Sequence, residues 1–188
     1  MQDIVVFDLE TTGLSPKTDE ILEIGAYKII DEVVKDKFHS YIRPKKEIPY
    51  FITEINGITN EMVADEEPIE VILPEFYNFC KNSILLGHNI KAFDFKFLLN
   101  KGIDCGLDFS ESGTRLGIDT LVLAREYLKK PYDIKNHKLE TLVKHFKISV
   151  SNDKNAFHTA AFDAYASWLI FKRFKILRGL DISIATTL

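Results

Sequence analysis

The chain reads as a mixed α/β protein, a five-stranded sheet with helices on both faces. Three observations predict this. The run Ile4-Val5-Val6-Phe7 is short, apolar and β-branched, as an interior strand is. Two strand-like runs, 20–30 (EILEIGAYKII) and 33–43 (VVKDKFHSYIR), meet at Asp31-Glu32 and predict an antiparallel hairpin. Beyond residue 67, segments with helical spacing alternate with short apolar runs, an order that covers a sheet with helices.

The elements follow in order. Residues 44–67 are polar, carry Pro44 and Pro49, and read as a loop region. From Ile69 to Cys80 the apolar positions Ile69, Ile72, Leu73, Phe76, Phe79 and Cys80 recur at helical spacing, with Pro74 expected near a first turn and so marking an alternative start. Residues 84–89 (ILLGHN) form a buried strand with a polar end. A helix over 92–100 is predicted to stop at Gly102. A short strand at 116–119 precedes a helix at 120–128, and another helix covers 138–146 with Leu139, Leu142, Val143 and Phe146 on one face. Residues 149–155 are polar, and the last long helix starts near Thr159. Residues 1–177 make one domain, and 178–188 read as a C-terminal tail or the start of a linker, with no clear strand register.

Composition narrows the function classes. A length of 188 residues fits one domain, and 46% hydrophobic residues supply its core. No window approaches the ~18 consecutive apolar residues of a membrane helix. The strand-like start, with Asp3 and Asp8, does not resemble a signal peptide. Cys80 and Cys105 are isolated, form no metal-binding spacing, and read as reduced thiols of a cytoplasmic protein. A net charge of −4 argues against coating duplex DNA by charge alone. It leaves room for a nuclease whose acids are offset locally by metal ions.

The most informative residues end the first strand. Asp8 and Glu10 lie two apart, so on a strand they share one face. Two like charges side by side disfavour each other unless neutralised, and hard carboxylate oxygens suit Mg²⁺ or Mn²⁺. Two solvated acids at a frayed strand end is the plainer reading of this pair alone. Asp94, in Phe93-Asp94-Phe95, falls in a helix's first turn, where the dipole favours an acid in any case. Asp163 has small apolar neighbours, which implies a helix face packed on the sheet, where a lone acid is costly. His158 precedes Asp163 by five positions and belongs to the loop or the helix entry, where a surface histidine is the ordinary alternative. In open α/β sheets, sites gather at the carboxyl ends of strands, and Asp8, Glu10, His88 and Asn89 all fall there.

Taken together, Asp8-Leu9-Glu10-Thr11-Thr12-Gly13-Leu14, His88-Asn89 with Phe93-Asp94, and His158 with Asp163 resemble the three motifs of the DEDDh family. These are proofreading-type 3′–5′ exonucleases of ribonuclease-H-like fold, including the epsilon subunit of bacterial DNA polymerase III and the exonuclease domain of the Gram-positive replicative polymerase. The resemblance covers residues 1 to about 175, and Asn56-Gly57-Ile58-Thr59 resembles the family's segment between hairpin and first helix. It implies two Mg²⁺ or Mn²⁺ ions on Asp8, Glu10, Asp94 and Asp163, with Asp8 bridging, Glu10 and Asp163 completing one site and Asp94 serving the other. It implies His158 as general base. It also implies that the backbone at Thr11 and Thr12 holds the terminal 3′-hydroxyl, and that Leu14, Ile55, Asn56 and Phe93 line the terminal nucleotide. His88 and Asn89 are expected to brace the strand end. The implied activity is release of nucleoside 5′-monophosphates from single-stranded or frayed DNA 3′ ends, in replication proofreading or repair, with a DNA polymerase subunit as partner.

Four alternatives account for part of this pattern. An RNA 3′-end-trimming exonuclease uses the same chemistry, and the choice turns on contacts to the 2′-hydroxyl. A non-catalytic nucleic-acid-binding subunit requires neither the acid cluster nor a base. A zinc protein built on His88, His137, His145 and His158 lacks regular spacing and paired cysteines. A phosphatase of another fold accounts for Asp8 and Glu10 but not for the later motifs.

Overall fold

The computed structural model describes residues 3–110, 116–149 and 159–188. Its strands are β1 (Ile4–Thr11), β2 (Ile21–Ile30), β3 (Val33–Tyr41), β4 (Ile84–Gly87), β5 (Leu116–Asp119) and β6 (Thr186–Thr187). Its helices are α1 (Tyr50–Asn56), α2 (Asn60–Val63), α3 (Ile69–Cys80), α4 (Asp94–Asp104), α5 (Thr120–Tyr127), α6 (Leu139–His145) and α7 (Ala160–Arg178). The sheet order is β3-β2-β1-β4-β5-β6. β1, β2 and β3 form an antiparallel meander, whereas β4 lies parallel to β1 and β5 parallel to β4. The expected hairpin is present, and its turn holds Asp31 and Glu32 at φ 51° and 63°, as a two-residue turn with positive φ at both positions requires.

β1 is central, so its alternating side chains feed two cores. Ile4 and Val6 join Ile84, Leu86 and Ile118 beneath α5, α6 and α7. Val5, Phe7 and Leu9 join Leu85 and the apolar faces of α3 and α4. Even-numbered positions of β1 therefore face α7, and this parity carries Asp8 and Glu10 to the α7 side. No described helix is long and apolar enough to cross a membrane.

Several elements differ from expectation. The 44–67 region contains α1 and α2, stopped and started by the left-handed Gly57 and by Thr59, whose side chain accepts from Met62 N. Ile52, Ile58 and Val63 pack there on Leu22 and Ile48, a small third core. α3 runs from Ile69 with Pro74 in its interior. Interior proline costs ~3 kcal/mol or more, but burying Ile72, Leu73, Phe76 and Cys80 at ~1.5–3 kcal/mol for each large apolar side chain outweighs it. α4 passes through Gly102 and ends at Asp104, two residues before Gly106, which adopts φ 69°. A Cβ at Gly102 would lie 2.9 Å from Leu107 O and 3.0 Å from Phe109, so that glycine serves close packing rather than termination. The tail forms a short 3₁₀ turn and then β6, a sixth strand paired antiparallel with β5, while Leu188 packs over Gly117.

Candidate active site

The acids are assembled from three elements. Asp8 and Glu10 project from the carboxyl end of β1 toward α7, and Asp163 comes from the first turn of that helix. One carboxylate oxygen from each of the three lies within 4.8 Å of the others. Asp94 begins α4 and is buried, and its Oδ1 accepts the Leu9 N–H at 3.1 Å, tying the start of α4 to β1 between the two acids. Asp94 borders this three-acid group, near enough for its charge to act on Asp8. His158 lies outside the described residues.

Crowding these groups perturbs them strongly. Burial, then the charges of Asp94, Asp163, Glu10 and Glu23, hold the Asp8 carboxyl well above its ordinary value. Burial, then Glu23 and Asp163, push Glu10 up to about 8, opposed by a hydrogen bond from Asn56. Burial raises Asp94 to about 7, opposed by backbone hydrogen bonds including that from Leu9. Such a set holds protons unless a cation replaces them. A close group of hard oxygen donors aimed at one another fits Mg²⁺ or Mn²⁺.

What fixes Asp163 is not apparent from the motifs. Glu23 on β2 sits directly across from Glu10 and is 1% exposed. Its Oε2 accepts the N–H of Ala160, the first residue of α7, at 3.2 Å, and its Oε1 meets His39 Nε2 at 2.7 Å. The bond to Glu23 raises the His39 pKa despite partial burial. Two residues on, a Cβ at Gly25 would lie 2.1 Å from Ala161 N and 2.4 Å from the Ala160 carbonyl carbon, so backbone meets backbone there. Glu23 and Gly25 together dock the start of α7 on the sheet. Thr159 caps the helix, its hydroxyl accepting from Phe162 N at 3.4 Å. The available signal was Glu23, the one acid among residues 21–30.

An apolar cleft of about 580 Å³ opens beside the acids. Thr11, Thr12, Leu14, Ile55, Asn56 and Phe93 all line it, together with Glu10. Phe51, 63% exposed, lines it too and was missed because it lay in a segment read as loop. The Thr11 hydroxyl donates to Gly13 O at 2.6 Å, and the Thr12 N–H donates to Glu20 O at 2.9 Å, so both threonines are already engaged in shaping the turn. His88 and Asn89 do not belong to the carboxylate group. His88 Nδ1 meets Thr120 Oγ1 at 2.9 Å, and burial lowers its pKa to about 4. The Asn89 N–H donates to Asp119 Oδ1 at 2.8 Å. Both brace the ends of β4 and β5.

Comparison with known proteins fits this geometry. Residues 5–171 match the family model of RNase T exonucleases. The chain belongs to this exonuclease family. As a family member it is a hydrolase of the nuclease class. It is 40% identical over 186 residues to the PolC-type DNA polymerase III of Clostridium perfringens, covering 99% of this chain and 12% of that protein. It is 41% identical over 173 residues to the PolC-type enzyme of Thermotoga petrophila, covering 90% of this chain and 12% of that protein. The chain spans only 11–12% of the length of these relatives. Among solved structures, E. coli exonuclease I in complex with a dA16 oligonucleotide superposes with a TM-score of 0.82 at 22% identity, over 95% of this chain and 42% of that one. The complex with dT13 gives 0.79 at 22% identity, over 93% and 41%. At that identity the likeness establishes the fold, the ribonuclease-H-like arrangement expected from the motifs.

Proposed function

We propose that this exonuclease removes nucleoside 5′-monophosphates from single-stranded or frayed 3′ ends of DNA with the help of two divalent ions. One observation carries the reading: Glu10 belongs both to the carboxylate cluster and to the wall of the apolar cleft. A terminal nucleoside held in the cleft therefore presents its phosphate to the acids. Apolar and aromatic walls, here Leu14, Phe51, Ile55 and Phe93, suit any base, as a trimming enzyme requires.

In this reading Asp8, Glu10 and Asp163 would hold one Mg²⁺ or Mn²⁺, and Asp94 would serve a second with Asp8. When bound, such a pair stabilises the attacking and leaving oxygens of an in-line displacement. Asp8, Glu10, Asp94 and Asp163 would act on the anionic phosphodiester only through the ions they hold, while His158 would take the proton from the attacking water. An unperturbed histidine, with pKa ~6.5, is largely neutral at pH 7 and above and can accept it. The likeness to PolC-type polymerases supports a proofreading role beside a replicative polymerase in the cytoplasm.

The test is cleavage of a 3′-overhang DNA and its RNA equivalent, each labelled at the 5′ end, with Mg²⁺, Mn²⁺ or EDTA. The expected result is a metal-dependent ladder shortening from the 3′ end, faster on DNA. Faster trimming of RNA would replace the DNA reading, and absence of cleavage on both would refute the catalytic one.

A further inference from the structure

A second cleft, of about 460 Å³, opens at the carboxyl ends of β4 and β5. Its walls include Arg125 of α5, Lys130 and Lys138 from the segment joining α5 to α6, and His88, Asn89 and Asn136. No acidic side chain lines it among the described residues. The chain as a whole has 28 acids against 24 lysines and arginines, a net charge of −4.

The three cations are exposed and make no ion pair among the described residues, whose salt bridges all lie elsewhere. The neighbouring acid, Asp119, is occupied by backbone, its two oxygens accepting from Asn89 N, Lys91 N and Leu121 N. The segment that carries Lys130 and Lys138 is pinned. Buried His137 donates from Nε2 to Leu128 O at 2.8 Å, Asp133 accepts from Lys129 N at 2.7 Å, and Asn136 accepts from Lys138 N at 2.9 Å. Unpaired positive charge held on a fixed scaffold is arranged for an anion.

The cleft's place names that anion. β4 lies beside β1 with Val6 opposite Leu86, so His88 follows the end of the strand next to the one that carries Asp8. The apolar cleft lies on the other side of Asp8, toward α1, which packs on Leu22 of β2. The acids therefore stand between an apolar cleft and a basic one. The geometry points to the basic cleft as the seat of the sugar-phosphate backbone 5′ to the scissile bond, with Arg125, Lys130 and Lys138 each neutralising an upstream phosphate of the single strand. This assignment rests on the exonuclease reading above and gives that reading its strand polarity: terminal nucleoside on the α1 side, upstream phosphates on the β4–β5 side.

The test compares the wild type with a combined Arg125→Gln, Lys130→Gln, Lys138→Gln variant on two probes. One is a 12-nucleotide oligothymidylate. The other is the p-nitrophenyl ester of thymidine 5′-monophosphate, a phosphodiester with no upstream nucleotide. Exposed Lys35→Gln, Lys37→Gln, Lys81→Gln changes give a control of equal charge, and melting curves check the fold. For single strands each neutralised phosphate contributes ~0.7 to the slope of log affinity against log salt, so the variant should lose about 2 from that slope, with KM for the oligonucleotide up about tenfold at low salt. The small ester should be hydrolysed at the wild-type rate, and the control should keep the wild-type slope. An unchanged oligonucleotide KM and salt slope would overturn the assignment. So would an equal loss on both probes, which would place the three cations at the reaction centre. If the wild type hydrolysed neither probe, the exonuclease reading itself would fail, and this proposal with it.

Discussion

Without divalent ions, Glu10 should weaken the fold as pH rises. Its carboxyl moves from an ordinary 4.5 to about 8, first through burial and then through Glu23 and Asp163. The native chain thus binds this proton more tightly than the unfolded one does. The resulting stability is fully present below pH 4.5 and is lost as pH climbs through about 8. At ~1.4 kcal/mol per tenfold change in proton affinity, the ceiling is about 5 kcal/mol. Glu10 keeps some exposure, so solvent screening reduces the expected loss to about 2–3 kcal/mol. For a chain of this size ~2–4 °C of melting temperature accompanies each kcal/mol, giving about 5–10 °C. Thermal melts of wild type and Glu10→Gln in EDTA, from pH 5 to pH 8.5, read this directly. The wild type should fall behind the variant by that amount across the range, and Mn²⁺ at pH 8 should restore the wild type more than the variant. Parallel curves in EDTA would refute the reasoning, because they would mean that Glu10 carries no excess proton affinity in the fold.

Other perturbations address the docking of α7 and the proton acceptor. Gly25→Ala forces a Cβ onto the Ala160–Ala161 backbone; it should cost about 1–3 kcal/mol by urea unfolding, and the displaced Asp163 should slow DNA cleavage about 100-fold. Glu23→Ala leaves the Ala160 N–H without its acceptor and should destabilise by about 1–3 kcal/mol, whereas Glu23→Gln, which keeps a side-chain oxygen, should recover most of that in the same titration. His158→Ala should lower the single-turnover cleavage rate by about 10²–10⁴ with Mn²⁺ affinity retained; loss of Mn²⁺ binding would make it a ligand instead.

The parts of the fold and site that are legible in the sequence are those that depend on local pattern. The parity of β1 sends Asp8 and Glu10 to one face, and the 3.6-residue spacing of α3 and α6 marks their buried sides. What is not legible depends on contacts made outside each element's own pattern. α1 and α2 lie in a polar segment and owe their packing to Leu22 and Ile48. Gly102 looks like a helix stop because its packing against Phe109 appears only in three dimensions. Glu23 looks like a strand-surface acid until Ala160 arrives from 137 positions away. The apolar tail has no periodicity of its own, and its register comes from β5.

The central claim is that the acids of β1, α4 and α7 form one divalent-metal site that supports the chemistry. It is tested most directly by Mn²⁺ titration of metal-free protein at pH 8, with free Mn²⁺ followed by electron paramagnetic resonance, for wild type and Asp8→Asn. The account predicts saturable binding in the wild type that is lost in Asp8→Asn while the variant stays folded. Equal binding by the two proteins would contradict it.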